Sequence, residues 1–143
     1  MEEVGLGPAE SGIVLRGDQR ASAVADFDGD GRSDLAVGQN RDRTTLWRNS
    51  TATPGVRVRL DGGALNPRGF GARIRIEGSQ GPGPGRWVVA GSGHWSTDGT
   101  AQVLARPAGR ATVVVRWPDG RETRLPIAPG TSGVTAAPPS GGR

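Results

Sequence analysis

Short apolar runs separated by polar or glycine-rich stretches follow one another along the chain, with little sign of helical periodicity. In the first third such runs occupy residues 13–15, 22–25, 34–37 and 44–47. Runs of this length bounded by turn residues are typical of β-strands. Twenty-five glycines and eleven prolines among 143 residues also favour many strands joined by turns. We therefore predict an all-β chain with almost no helix.

Two runs in the second half alternate apolar residues with arginine. They cover residues 56–60 and 72–76 and carry Arg57, Arg59, Arg73 and Arg75. Because successive side chains of a strand point to opposite faces, each strand should bury its apolar row and expose its arginine row. If the strands are neighbours, about 4.8 Å apart, the four guanidinium groups lie within about 10 Å of one another and form a candidate anion-binding face. The alternative is an ordinary solvated face.

Further strands are predicted at residues 86–90, 103–106, 112–117 and 121–127, the last two joined by a Pro-Asp-Gly turn. A polar stretch with turn residues marks a boundary in the chain. We expect an N-terminal segment at residues 1–11, a first unit at 12–50, a linker at 51–55, a second unit at 56–128 and a flexible tail at 129–143. The tail is rich in glycine and proline and has little to bury.

The strongest candidate chemistry lies between two of the predicted strands, where residues 26–34 read DFDGDGRSD. Alternate spacing directs Asp26, Asp28 and Asp30 into one concavity, two glycines let the chain curl, and Asp34 closes the far side. Four carboxylates this close repel one another unless a cation lies between them. Ca2+ accepts about six to eight oxygen ligands in flexible geometry, whereas Mg2+ retains its waters, so Ca2+ fits the loop better.

The backbone carbonyl of Arg32, at the seventh position of the loop, is the expected fifth ligand. The loop is not an EF-hand, because its twelfth position is Val37 instead of a bidentate glutamate and its flanks read as strands. An Asp-Gly hairpin turn without metal is the alternative, since such pairs favour tight turns on their own. A turn needs one or two of these residues, whereas four acids at the spacing of metal ligands favour the metal.

Residues 26–37, followed by TLWRN at 45–49, closely resemble one FG-GAP or VCBS repeat. In that family each repeat supplies a blade of a β-propeller, and the acidic loop binds Ca2+. Residues 56–128 resemble the ASPIC/UnbV domain of the cartilage acidic protein-like family, most specifically in VRWPDG at 115–120. The chain departs from that family at 103–106, where VLAR replaces the usual FGLG. The resemblance implies a single propeller-blade-like calcium-binding sheet followed by a small β-sandwich or barrel-like domain.

Composition narrows the class of protein. The chain has no cysteine, which excludes a disulfide framework and a thiolate zinc site. No segment approaches the ~18 apolar residues of a membrane-spanning helix, and residues 1–10 lack the apolar core of a signal peptide. If the protein is exported, we expect this chain to be a mature or shortened form. The charge is uneven: residues 1–54 carry six arginines and nine acids, net −3, and residues 55–143 carry twelve arginines and five acids, net +7.

The only histidine, His94, lies in the sequence GSGHWSTD at residues 91–98. Serine, histidine and aspartate in one stretch suggest a hydrolase, but triads are recognised by geometry, and no nucleophile-elbow sequence is present. We interpret His94 as an exposed or hydrogen-bonded loop residue. Tryptophan is the main bulky apolar residue type, which favours packing roles, and Trp95, flanked by polar and small residues, is the expected exception. His94 and Trp95 are therefore candidate interaction residues.

We predict a non-enzymatic, calcium-binding interaction or adhesion module of extracellular type, secreted or at the cell surface. The metal is expected to stabilise the blade structurally. One blade cannot close a propeller, so it packs on the second unit, joins blades of a longer parent protein, or associates with other chains. We expect a protein or an acidic polysaccharide as the partner, in preference to nucleic acid. An anion-binding module that uses the arginine rows is the alternative function, and a hydrolase centred on His94 is the second alternative.

Overall fold

The protein, analysed as a computed structural model, is described over residues 11–140 and consists of β-strands joined by turns and loops. In chain order the strands are β1 (Gln19–Ala25), β2 (Asp34–Gln39), β3 (Thr45–Trp47), β4 (Val56–Leu60), β5 (Arg73–Gly78), β6 (Gly81–Pro82), β7 (Arg86–Trp87), β8 (Gln102–Leu104), β9 (Ala111–Arg116), β10 (Glu122–Ile127) and β11 (Gly133–Ala136). The all-β prediction is confirmed. Residues 13–15 are not a strand, and residues 1–10 of the predicted N-terminal segment lie outside the described part of the chain.

The strands form three sheets. The first is the antiparallel order β1-β2-β3, which corresponds to the predicted blade. The second has the order β10-β9-β5-β6, with β7 pairing the same edge of β5 as β6. The third has the order β11-β4-β8, in which β11 runs parallel to β4. None of these sheets closes into a barrel within residues 11–140.

The second and third sheets share one hydrophobic core. The alternating sequences of β4 and β5 bury their apolar rows as predicted, with Val56 and Val58 on one strand and Ile74 and Ile76 on the other. β9, β10 and the residues after them add further apolar side chains to the same cluster, namely Val113, Val115, Trp117, Ile127 and Ala136. Burial of these side chains drives the two small sheets together, since each sheet is apolar on one face.

The hairpin of β9 and β10 forms around the predicted Pro-Asp-Gly turn. The N–H of Trp117 donates to the carbonyl of Arg121 at 2.9 Å, and the N–H of Gly120 donates back to Trp117 at 3.0 Å. Gly120 has a φ of 86°, a conformation that side chains with a Cβ rarely adopt, so the turn requires a glycine at this position.

The expectation of a flexible tail over residues 129–143 is wrong for the part that forms β11. Residues Gly133–Ala136 add a parallel strand to the free edge of β4, and Ala136 is fully buried in the core. An exposed strand edge favours pairing with any available segment, and the small side chains of this segment fit against the core. Residues 141–143 lie outside the described part of the chain.

No helix long and apolar enough to cross a membrane is found in residues 11–140.

Candidate metal centre

The acidic loop connects β1 to β2, the central strand of the first sheet. The antiparallel pairing of Ala25 with Asp34 closes the loop at its base. Gly29 and Gly31 have φ values of 79° and 83° and curl the backbone as the sequence predicts. The loop is therefore held between two strands and not between two helices, which agrees with the exclusion of an EF-hand.

Two of the four carboxylates are buried and organise the loop itself. Asp26 accepts hydrogen bonds from the N–H groups of Gly29 at 2.8 Å and Gly31 at 3.1 Å. Asp34 accepts from Phe27 N–H at 3.0 Å and from the N–H of Asn49 at 2.8 Å. Because these oxygens accept backbone N–H groups of the loop and of Asn49, both aspartates hold the loop in shape as well as being candidate metal ligands.

Three carboxylates converge on one point. Single oxygen atoms of Asp26, Asp28 and Asp34 all lie within 4.8 Å of one another. Two oxygens bound to the same Ca2+ at about 2.4 Å can be separated by up to about 5 Å, so this spacing fits a shared calcium ion. Carboxylate oxygens are also the hard ligands that Ca2+ prefers.

Asp30 does not belong to this convergent group. Its carboxylate accepts hydrogen bonds from Arg32 Nη1 at 2.8 Å and from Arg48 Nη2 at 3.1 Å. Partial burial raises the pKa of Asp30, but the hydrogen bonds from Arg32 and the charges of Arg32 and Arg48 outweigh it and hold that pKa below its ordinary value. Coordination by Asp30 and by the carbonyl of Arg32 stays a prediction.

Arginines lie against the other carboxylates as well. Arg48 Nε donates to Asp28, which raises the pKa of this arginine, and Arg57 Nε lies 3.7 Å from Asp26 Oδ2. Together with Arg32, three guanidinium groups offset much of the negative charge of the loop. Repulsion among the four acids therefore does not by itself require a divalent cation, because these arginines already lie against the carboxylates.

The predicted linker at residues 51–55 packs on the loop. The N–H of Gly55 donates to the carbonyl of Gly31 at 2.7 Å, and Arg32 Nε donates to the carbonyl of Ala52 at 2.6 Å. A Cβ at Gly55 would lie 2.3 Å from the carbonyl oxygen of Leu104, so only glycine permits this close approach. The loop, the linker and the third sheet are thus in direct contact.

The expected face of four neighbouring arginines does not form. β4 pairs with β11 and β8, whereas β5 belongs to a different sheet, so the two arginine rows are not adjacent. Arg57 reaches Asp26, Arg75 pairs with Glu77 at 2.8 Å, and Arg73 lies over the ring of Trp87 at 5.9 Å from its centroid. Arg59 has no ion-pair partner within residues 11–140.

His94 and Trp95 lie at the tip of a tight turn. Their rings stack with centroids 4.9 Å apart, and Trp95 is 79% exposed with a φ of 53°. The Ser96 hydroxyl donates to the backbone carbonyl of His94 and accepts from the N–H of Ser22. Within residues 11–140 neither Ser96 nor Asp98 hydrogen-bonds to the His94 ring, so these residues do not form a triad.

Sequence reasoning missed two residues that contact the site and one that holds the strand before it. Arg48 and Asn49 follow β3 and contact Asp28 and Asp34, and Asp98 accepts a hydrogen bond from β1. The TLWRN sequence at 45–49 contained the first two as part of the repeat resemblance, but only the fold shows that they reach the loop.

Two family models match the chain. One, described as FG-GAP repeat, covers residues 20–45, which include most of β1, the acidic loop and β2. The other, described as ASPIC and UnbV, covers residues 62–141, more than half of the chain. No curated protein matches the chain.

Proposed function

Because the chain belongs to the ASPIC and UnbV family and carries an FG-GAP repeat ahead of that domain, we propose that it is a calcium-binding interaction module in which the metal stabilises the first sheet. Both domains are of a non-catalytic, interaction type and are typical of extracellular or cell-surface proteins. Secretion or display at the cell surface is part of the proposal.

The convergence of Asp26, Asp28 and Asp34 carries the proposal. Asp26 directly follows β1, Asp28 lies in the loop and Asp34 begins β2, so a shared ion would join the ends of two strands and the loop between them. Its binding free energy would then add to the free energy of unfolding by mass action. Asp30 and the carbonyl of Arg32 are proposed as further ligands, which requires that Asp30 exchange its arginine partners for the ion.

The site is proposed to stabilise more than the loop. Gly31 and Arg32 bond to residues 51–55, and Asp26 lies beside Arg57 of β4. An ion that fixes the loop therefore also fixes the contacts between the first sheet and the rest of the protein. A structural role of this kind differs from a calcium switch, because it needs no second conformation.

Calcium titration by calorimetry, combined with thermal unfolding in calcium and in EDTA, tests the proposal. At a calcium concentration of about 100 times Kd the ion should stabilise the protein by about 2.7 kcal/mol, which raises Tm by several degrees. Asp28→Asn should abolish most of this shift, because the amide removes the charge without changing the shape of the side chain. Asp30→Asn tests the proposed fourth carboxylate.

Asp42→Asn is the matched control, since Asp42 is an exposed acid outside the loop. It should leave both the calcium heat and the Tm shift unchanged. Equal Tm values in calcium and EDTA, with no calorimetric heat, would contradict calcium binding. A shift of the same size in Asp28→Asn and in the original protein would place the ion elsewhere.

A protein-binding surface is the second part of the proposal. Trp95 is exposed at its turn, and Val24, Phe27 and Leu46 of the first unit are exposed apolar side chains. A bulky residue with positive φ at an exposed position is unusual and favours a role in recognition. Trp95→Ala should weaken capture of a binding protein without changing calcium affinity or Tm.

A further inference from the structure

Three arginines line one cleft next to the acidic loop. Arg57 and Arg59 come from β4, and Arg68 comes from the loop that precedes β5. The cleft has a volume of about 360 Å3 and is completed by small or apolar residues, namely Ala25, Leu60, Pro67, Gly99, Thr100 and Ala101. We name it the arginine cleft.

The charge of the arginine cleft is not balanced. Its single acid is Asp26, whose side chain is fully buried and already accepts two backbone hydrogen bonds. Neither Arg59 nor Arg68 forms an ion pair within the described residues. The Nε of Arg57 is buried and has no hydrogen-bond partner in that part of the chain. Three guanidinium groups and one carboxylate leave a net charge of +2 in a concave site.

The segment that carries Arg68 is held rigidly. The side chain of Asn66 accepts from the N–H of Phe70 at 2.9 Å and donates to the carbonyl of Phe70 at 2.8 Å. Gly69 has a φ of 66°, and a Cβ there would lie 2.5 Å from Leu60 Cδ1. A fixed backbone lowers the entropy cost of binding an anion, because the backbone of Arg68 is already ordered before the ligand arrives.

We propose that the arginine cleft binds one sulfate or phosphate monoester group, and that calcium in the adjacent loop strengthens this binding. A tetrahedral oxyanion presents three terminal oxygens to the forked donors of several guanidinium groups, whereas a single carboxylate presents two. A nucleic-acid backbone needs cations spaced along a path, and these three arginines share one cleft. The coupling to calcium rests on the proposed function.

The coupling follows from the position of Asp26. Arg57 lies beside this carboxylate, which a bound calcium ion would also use. Positive charge added at Asp26 weakens the attraction between Asp26 and Arg57 and raises the potential of the cleft. An anion in the cleft offsets that charge, so each ligand increases the affinity for the other by the same factor.

Calorimetric titration with glucosamine 6-sulfate, in EDTA and in saturating calcium, tests the proposal. The expected results are a measurable affinity in EDTA, about fivefold tighter binding in calcium, and about tenfold weaker binding in Arg68→Gln under both conditions. Arg110→Gln, which removes an exposed arginine outside the cleft, should bind as the original protein does. Glucose 6-phosphate distinguishes phosphate from sulfate, and unsulfated glucosamine should not bind.

The experiment distinguishes failure of the cleft as the binding site, of its coupling to calcium, of the proposed function and of the ligand class. Binding that is equal in Arg68→Gln and Arg110→Gln would overturn the cleft as the site, whatever calcium does. Arg68-dependent binding that calcium does not strengthen, in protein whose calcium heat is measured directly, would overturn the coupling. Absence of the calcium heat would refute the proposed function, while the titrations in EDTA would still test the cleft. Arg68-dependent binding of duplex DNA without binding of either monoester would overturn the proposed ligand class.

Discussion

Asp98 accepts a hydrogen bond from the backbone N–H of Val24 at 2.8 Å, so a side chain takes the place of a neighbouring strand. On the same edge, Gly99 N–H donates to the carbonyl of Val24 at 2.8 Å, and Ser22 N–H donates to the Ser96 hydroxyl at 3.0 Å. β1 is an edge strand of the first sheet, and an uncovered edge would leave these groups unpaired. The first sheet is thus attached to the rest of the chain along its edge.

Asp98→Ala should therefore loosen this attachment. The N–H of Val24 loses its acceptor, and we expect a stability loss of about 1 kcal/mol together with faster hydrogen exchange at that amide. Asp98→Asn keeps an acceptor oxygen of the same shape and should change both quantities much less. Exchange measured by NMR checks the result, and unchanged protection at Val24 in Asp98→Ala would contradict the role assigned to this contact.

Arg48→Gln should increase calcium affinity. Arg48 donates to Asp28 and Asp30, so an incoming ion must compete with it for both carboxylates. Removal of one positive charge a few ångströms from the ion favours binding by about three- to tenfold in a partly solvated site. Calorimetry measures the change, with Arg43→Gln as the control because Arg43 forms no ion pair among the described residues. Weaker calcium binding in Arg48→Gln would show that this arginine organises the site instead of competing for it.

Truncation of the chain after Ser132 should destabilise the protein by at least about 2 kcal/mol. It removes β11, which pairs with β4, and it exposes core that Ala136 covers. A chain that ends at Ser140 keeps β11 and is the matched control. Chemical unfolding curves compare the two, and equal midpoints would mean that β11 contributes little to the core.

The sequence predicted those features that depend on local spacing. Alternate positions place Asp26 and Asp28 on one side of a tight loop, and Asp34 follows from the return of the strand, so the convergence needs no distant residue. The alternation of β4 and β5 likewise predicted which residues of these strands are buried. Periodicity and turn chemistry are local properties, so predictions that rest on them hold whenever the predicted strand itself forms.

Features that depend on long-range pairing could not be predicted. Arg48 lies 20 residues from Asp28, and Arg57 lies 31 residues from the carbonyl of Asp26 that it contacts, so nothing in the loop sequence reveals either one. The condition for a shared arginine face, that β4 and β5 are neighbours, is not met because β4 takes its partners from the distant strands β8 and β11. Sequence gives the faces of strands, whereas their order is decided by the packing of the whole chain.

Stability should fall in acid partly because of Glu77. Its pKa is held below the ordinary value of 4.5 by hydrogen bonds from Arg75 and Arg124, which lie on β5 and β10 on either side of Val114. A depressed pKa in the folded state gives a stabilising contribution that is present above pH 4.5 and is lost as the pH falls through the folded-state value. Glu77→Gln should therefore lower stability at pH 7 and flatten the decline of stability as the pH falls below 4.5. Urea unfolding at pH 7 and at a series of lower pH values measures the free energy of unfolding of both proteins. If that free energy falls with pH in parallel for the two proteins, Glu77 does not contribute to the acid sensitivity.

Thr123→Val should lower the free energy of unfolding by more than the small change in side-chain shape suggests. The Thr123 hydroxyl accepts a hydrogen bond from the indole N–H of Trp117 at 2.9 Å and donates to the carbonyl of Ala137 at 2.7 Å. Trp117 is buried in the core, so valine would leave its indole N–H without a partner, a loss of about 1 to 3 kcal/mol. Thr123→Ser retains both bonds and should be closer to the original protein. Urea unfolding followed by tryptophan fluorescence compares the three, and equal stability of the valine and serine variants would mean that this hydroxyl does not connect Trp117 to the segment after β11.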